Sequence, residues 1–338
     1  MKTSKLALLG FASLSFVMGG CGHSGDSTPI NPPGDARDAL AQHDGAIDVS
    51  DSTPRADAEL PDTTNPIRVI DERCTDGEVH RNEVLPIRSD ITDLLNAFSA
   101  NNKLAWSIQV LNRRYPTGGL ILEKANNDTN CFDVGVSGAS SATEVLAGLR
   151  TSVHECGHMV DLNQKTFVLG KSLSYDCDFA VVADTPPRRI LVDDEYQALW
   201  PKDEFKQDYL VDLGDQALAY LMTEALQYIN TLATSYALYD YAPFDPIARD
   251  GTHAFQWYVT RYLRLLRMNY STQYSRAAGD RCWRRLVLAG WGRAHRYLAA
   301  SKGMPDLGGA DDALLERLVT TPELVDEIRR LRVADGCP

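Results

Sequence analysis

Beyond residue 90, apolar residues recur at three- and four-residue spacing in several stretches, which predicts helices there and a mostly helical second half. Ile91 to Arg114 follows this pattern with Leu94, Leu95, Phe98, Leu104, Trp106 and Leu111. Pro116-Thr117-Gly118-Gly119 then reads as a turn, Leu120–Glu123 as a short strand, and residues 125–140 as a polar loop holding Cys131. Ser141 and Glu144 form an S-x-x-E capping box, and Val145, Leu149, Val153, Cys156 and Val160 line one face of the helix it opens. Residues 165–214 are irregular, with strands expected at Thr166–Val168 and Ala180–Val182.

Gln216 to Tyr239 patterns differently. Leu218, Met222, Ala225, Ile229, Leu232 and Tyr236 make an apolar stripe, and the other faces carry Tyr, Thr, Gln and Asn. The helix therefore reads as largely buried, with Asp215 as its N-cap. Among these 24 residues (239 − 216 + 1) Glu224 is the one charged side chain. A lone buried carboxylate is costly unless it is paired or bound to metal. An ion pair with a distant arginine is the plain alternative. Phe255–Tyr270 is amphipathic with Arg on its outer face, Asp280 caps a helix running to about Ser301, and Thr321-Pro322 starts the last one. The expected class is α+β. A mixed lobe over about 66–165 sets short strands beside the helix opened by Ser141, and a mainly helical lobe covers about 215–338.

That helix carries the candidate chemistry. His154-Glu155-Cys156-Gly157-His158 is an H-E-x-x-H sequence. Residues i and i+4 share a helix face, so both imidazoles reach one metal ion. Zinc takes nitrogen ligands of this kind and lowers the pKa of a bound water toward neutrality. Glu155, beside the first ligand, takes the proton as that water attacks a polarised carbonyl. The pattern points to peptide-bond hydrolysis with Zn2+ as cofactor, His154 and His158 as ligands and Glu155 as general base. Gly157 costs helix stability relative to alanine, and its small size allows another element to approach. One class of such sites adds a third His six residues on, with a Gly between; here Asp161 and Gln164 occupy those positions. Asp161 suits an outer role, holding an imidazole or capping a backbone group. Glu224 is the third ligand expected. Glu195, Glu204, Asp176 and Asp178 are weaker candidates in an acid-rich, loop-like stretch. Cys156 points by helical direction toward the core.

The first residues place this chemistry outside the cytoplasm. Lys2 and Lys5 precede an apolar run from Leu6 to Met18, then Gly19-Gly20-Cys21. This resembles a bacterial lipoprotein signal over 1–20, with cleavage before Cys21 and acylation of Cys21 anchoring the chain to the cell envelope. The run is too short to span a bilayer. Residues 21–65 are rich in Ser, Thr, Pro, Asp and Gly and read as a disordered tether, with one marginal helix near Asp35–Gln42. Residues 66–338 are the folded body. Removing Cys21 from the seven cysteines leaves six, enough for three disulfides of open connectivity. A net charge of −12 argues against nucleic acid as a partner. A peptide or protein substrate, the membrane through Cys21, and a monomeric state are expected.

HECGH followed by Asp161, with Glu224 on a helix 66 residues after His158 (224 − 158), resembles the gluzincin group of zincin metallopeptidases. The HExGHxxD form is also similar to the catalytic domain of anthrax lethal factor and related secreted peptidases. HECGHMVDL, EALQYINTLATSYA and CWRRLVLAGWGRAHRYL resemble a set of uncharacterised secreted proteins of myxobacteria and their relatives, over roughly residues 66 to 300. The resemblance implies a zincin-like fold and ligation by His154, His158 and Glu224. The lethal-factor group places an oxyanion-stabilising Tyr seven residues before the ligand Glu, where this chain has Ala217. Tyr220 and Tyr228, one turn either side of Glu224, are the substitutes, with His253 and His295 as further donors. Two non-peptidase readings stand beside this one: a surface binding or adhesion lipoprotein with a structural zinc, and a degenerate zincin fold whose cleft recruits a partner.

Overall fold

The computed structural model describes residues 68–125, 129–242 and 245–337. The chain separates into two units, Met1–Asn65 and Pro66–Pro338. The signal segment 1–20, Cys21, the tether 21–65 and the helix expected near Asp35–Gln42 lie outside the described residues.

Helices dominate the second unit. In chain order they are α1 Thr75–Asn82, α2 Thr92–Asn96, α3 Lys103–Arg114, α4 Pro116–Lys124, α5 Thr129–Val136 and α6 Ala142–Gln164. A hairpin of β1 Thr166–Gly170 and β2 Leu173–Asp176 follows, then α7 Asp194–Leu199, α8 Leu218–Ala237, α9 Ala248–Asn269, α10 Ser271–Gly279, α11 Arg281–Ala300, α12 Asp312–Val319 and α13 Pro322–Ala334. The strands are antiparallel, with Thr166 opposite Asp176 and Phe167 opposite Tyr175. Among the described residues no helix is long and apolar enough to cross a membrane.

Local signals mark several helix ends. Ser141 accepts from the Glu144 N–H and the Glu144 carboxylate accepts from the Ser141 N–H, so the capping box forms at α6. Asp280 accepts from the Trp283 N–H at 3.0 Å to open α11, and Pro322 sits at the first position of α13. At its other end α6 stops on Lys165, whose φ of 54° turns the chain into β1.

Elsewhere packing overrides the local reading. Residues 116–123 form neither turn nor strand. Pro116 starts α4, where its fixed φ suits a helix and its missing N–H leaves nothing unpaired. Gly118 and Gly119 allow close packing: a Cβ on them would lie 2.5 Å from the Tyr115 ring and 2.3 Å from the Asn112 side chain. The expected loop 125–140 contains α5, tied to α6 by a disulfide and by a hydrogen bond of 2.7 Å from Ser152 Oγ to the Phe132 carbonyl. The expected helix 91–114 is broken: Trp106 Nε1 donates to the Leu94 carbonyl at 2.7 Å, folding α2 back onto α3. Ala180–Val182 is not a strand, because Asp178 accepts from the Ala180 N–H and draws Phe179–Val181 into a 3₁₀ turn. Asp215 does not cap α8. It pairs with Arg189, while Thr185 Oγ1 accepts from the Leu218 N–H at 3.1 Å. α9 starts at Ala248 rather than Phe255, and Arg261, expected on its outer face, is buried against Glu195 and Asp193.

The stretch expected to be mainly helical, about 215–338, carries helices and no strand among its described residues. Among the described residues, 68–165 holds only helices, and both strands come after it. One apolar core runs through Leu149 of α6, Ile229 of α8, Phe255 of α9 and Leu286 of α11. Three disulfides, Cys74–Cys337, Cys131–Cys156 and Cys177–Cys282, use the six cysteines of this unit.

Candidate metal centre

α6 and α8 pack side by side and face each other with polar groups. Leu149, Val153 and Val160 anchor α6 in the core, which leaves His154 and His158 facing α8. α8 is buried nearly all round, so its polar residues need internal partners. They have them. Gln227 Nε2 donates to Asp161 Oδ2 at 2.7 Å, and Asn230 Nδ2 donates to Gln227 Oε1 at 2.8 Å. Tyr115 and Arg293 in turn donate to Asn230 Oδ1, each at 2.8 Å. This chain of bonds fixes the register of α6, α8 and α11. Gly157 belongs to it, because a Cβ there would lie 1.8 Å from Gln227 Oε1. The small residue beside the histidines thus admits the opposing helix.

His154, His158 and Glu224 converge: their ligand atoms all lie within 4.8 Å of one another. His154 Nε2 and His158 Nε2 are 3.1 Å apart, and Glu224 Oε2 is 3.3 Å from His158 Nε2 and 3.7 Å from His154 Nε2. A tetrahedral zinc with bonds of about 2.0–2.1 Å would separate its ligands by about 3.4 Å, which matches this triangle. Glu224 Oε2 is buried, and its neighbours at ion-pair distance are the two imidazoles. The residues fit the ion. They form the one such cluster of His, Cys, Asp or Glu found among the described residues.

Surroundings orient the ligands. His154 Nδ1 lies 3.0 Å from Thr231 Oγ1, a contact that orients the ring with Nε2 toward His158 and Glu224. Burial alone would push the His158 imidazole down, but Glu224, with help from Glu155 and Asp161, holds it up at about 9. Burial pushes Glu224 up, yet His158 and His154 outweigh it and keep the carboxyl well below the usual range. Asp161 goes the other way: burial raises it to about 8 against the opposing pull of His158 and the Gln227 bond. It accepts its hydrogen bond from Gln227, so it acts on His158 through space and not by holding an imidazole.

Cys156 points away from the cluster into the disulfide with Cys131, which pins the ligand-bearing turn of α6 to α5. Glu204 lies outside the cluster, and the other three weaker third-ligand candidates have partners of their own. Asp176 accepts from Thr166, Asp178 from the Ala180 N–H and Glu195 from Arg261. Cys177 is held by Cys282. His253 faces Asp312 at 3.5 Å and His295 lies against the Trp291 ring, so neither joins the centre.

The two tyrosines expected beside Glu224 part company. Tyr220 stays at the surface, 37% exposed. Tyr228 is buried, its ring edge-on to His154 at 5.1 Å and stacked on Phe255 at 4.6 Å. Its hydroxyl meets that of Tyr209 at 3.0 Å. Tyr209, on the π-helical turn Lys206–Asp212, is a residue that sequence reasoning missed. Burial raises its phenol, and the negative charges of Glu224 and then Glu155 raise it further. No spacing rule links an irregular loop to a helix in this way, although π turns are frequent at functional sites. A groove of about 610 Å3, lined among others by Glu83, Leu85, Arg113, Gly170 and Tyr175, lies elsewhere and contains none of the cluster residues.

Comparison of the chain with known protein families, with curated proteins and with solved structures finds no match.

Proposed function

We propose that the chain is an exported, lipid-anchored zinc metallopeptidase of gluzincin type. The observation that carries the reading is the convergence of His154, His158 and the buried Glu224 Oε2, with Glu155 in the same helical turn. When bound there, zinc supplies a Lewis acid that polarises a carbonyl and acidifies water. Glu155 takes the proton of the attacking water and delivers it to the leaving amine. Tyr209, backed by Tyr228, donates to the carbonyl oxygen as negative charge builds on it; its raised pKa keeps the phenol protonated. Thr231 holds the His154 ring with Nε2 toward His158 and Glu224, and Asp161 with Gln227 keeps α6 and α8 in register. Cys177 and Asp178, two side chains that could close a fourth ligand position, are engaged elsewhere, which favours a reactive centre over a structural clip.

The test is digestion of a peptide library by the zinc-loaded chain. Cleavage should stop on treatment with 1,10-phenanthroline and return when zinc is restored. Cleavage that persists in the chelator would remove zinc from the mechanism. The anchor rests on Met18-Gly19-Gly20-Cys21. Intact mass of the exported protein should show a chain beginning at Cys21 with acyl groups attached, and a different start without acyl mass would refute the lipid anchor.

A further inference from the structure

Arg188 is fully buried, with no exposed surface. Its Nε donates to the Leu213 carbonyl at 3.1 Å and its backbone N–H to the Gln216 carbonyl at 2.7 Å. These two bonds fix the direction of the guanidinium. Yet Nη1 and Nη2 are both buried without any hydrogen-bond partner. A buried guanidinium normally fills all its donors, because unpaired N–H groups on a desolvated cation carry a large penalty. An arginine held in place at Nε and left open at both Nη atoms has the form of a fork awaiting a partner.

Its neighbours place that fork near the metal centre. The guanidinium lies 5.8 Å from the centre of the Tyr209 ring. Tyr209 bonds Tyr228, and the Tyr228 ring contacts His154. Burial lowers the pKa of Arg188, and the main influence opposing it is the charge of Glu224. A dication held by Glu224 takes up that carboxylate. With neutral histidines, one zinc, Glu224, Glu155 and Arg188 then leave an excess of positive charge, which an anionic group would balance.

We propose that Arg188 anchors a carboxylate of the substrate beside the metal centre, through two parallel N–H···O bonds from Nη1 and Nη2. Paired donors in one plane match the two oxygens of a carboxylate, and a lysine cannot reproduce that geometry. In a peptide the carboxylate is either the free C-terminus or an Asp or Glu side chain next to the scissile bond. The Tyr209 side chain, whose ring lies over the guanidinium, has to shift to admit it while the Leu213 carbonyl keeps hold of Nε. The proposal rests on the peptidase reading for the nature of the ligand, but carboxylate binding itself does not require catalysis.

The experiment measures binding to the zinc-loaded full chain by calorimetry. The probes are N-acetyl-dialanine as free acid, the same peptide as its amide, and an amidated N-acetyl-Ala-Glu-Ala. At least one carboxylate-bearing probe should bind tenfold or more tighter than the uncharged amide. Preference for the free acid marks a C-terminal anchor, and preference for the glutamyl peptide an internal one. Arg188→Gln should erase the preference while zinc content and circular dichroism stay unchanged. Arg188→Lys, which keeps the charge without the fork, should lose most of it and serves if the glutamine variant does not fold. Equal binding of all three probes to the wild-type chain overturns the proposal, as does a preference that survives in a folded variant. Library digestion separates the two readings. Carboxylate binding without hydrolysis sinks the peptidase and keeps the anchor, whereas hydrolysis without carboxylate preference does the reverse.

Discussion

Replacing His158 with alanine should strip the metal from the chain. The purified wild-type protein is expected to carry close to one zinc per chain by elemental analysis, and His158→Ala to lose most of it. His158 Nε2 sits between the other two donors, 3.1 Å from His154 Nε2 and 3.3 Å from Glu224 Oε2. Removing it leaves two ligands on opposing helices and no third side chain of the cluster to replace it. Loss of a residue that merely orients a ligand weakens metal binding roughly 10–100-fold, so loss of a ligand should exceed that. The core should survive, because the imidazole lies at the α6–α8 seam rather than among the apolar residues. Full zinc retention by His158→Ala would refute the ligand assignment outright.

The second large effect concerns Glu155. Glu155→Gln should keep zinc and fold while hydrolysis of a confirmed peptide substrate falls by roughly 10²–10⁴, the usual consequence of losing a general base. The substitution conserves shape and removes the negative charge and with it the ability to accept a proton. Glu155 lies in the helical turn that bears both histidines, and its charge acts on His158 and on Tyr209. It is therefore next to the ligands without being one of the converging three. Reduced zinc content in the variant would assign Glu155 to the metal instead, and unchanged turnover would exclude it as the base.

Much of the candidate centre was legible in advance, for a physical reason. H-E-x-x-H states a local geometry, since four residues make about one helical turn wherever the helix lies. Glu224 was legible through desolvation: one charge in a run otherwise free of charge has to be answered inside the protein. Gly157 was legible as a place of close approach, and Gln227 fills it. Tyr220 and Tyr228 were equivalent in sequence, being one turn either side of Glu224. Tertiary packing separated them, turning Tyr228 toward His154 and Tyr220 toward solvent.

Other features have no local signature. The stretch 116–123 contains the residues of a turn and a strand, yet Tyr115 and Asn112 press against its two glycines and α4 forms. The cysteine count implied disulfides, but their pairing depends on which elements meet, and Cys131–Cys156 exists because α5 lies along α6. Tyr209 and Arg188 come from the segment with the weakest periodicity, and both owe their surroundings to α8 and to the loop carbonyls of Leu213 and Gln216.

Taken alone, the sequence determined the ligand-bearing helix and its capped start, the helix carrying Glu224, and the chemical character of the three converging groups. These depend on spacing, capping and the cost of burying charge, all of which act within a few turns of one helix. Only the tertiary structure decided that Gln227 passes over Gly157 to reach Asp161, that Thr231 meets the His154 ring, and that Tyr209 lies against both Tyr228 and Arg188. Those relations join residues far apart in the chain, and it is core packing between α6 and α8 that brings them within hydrogen-bond and electrostatic range.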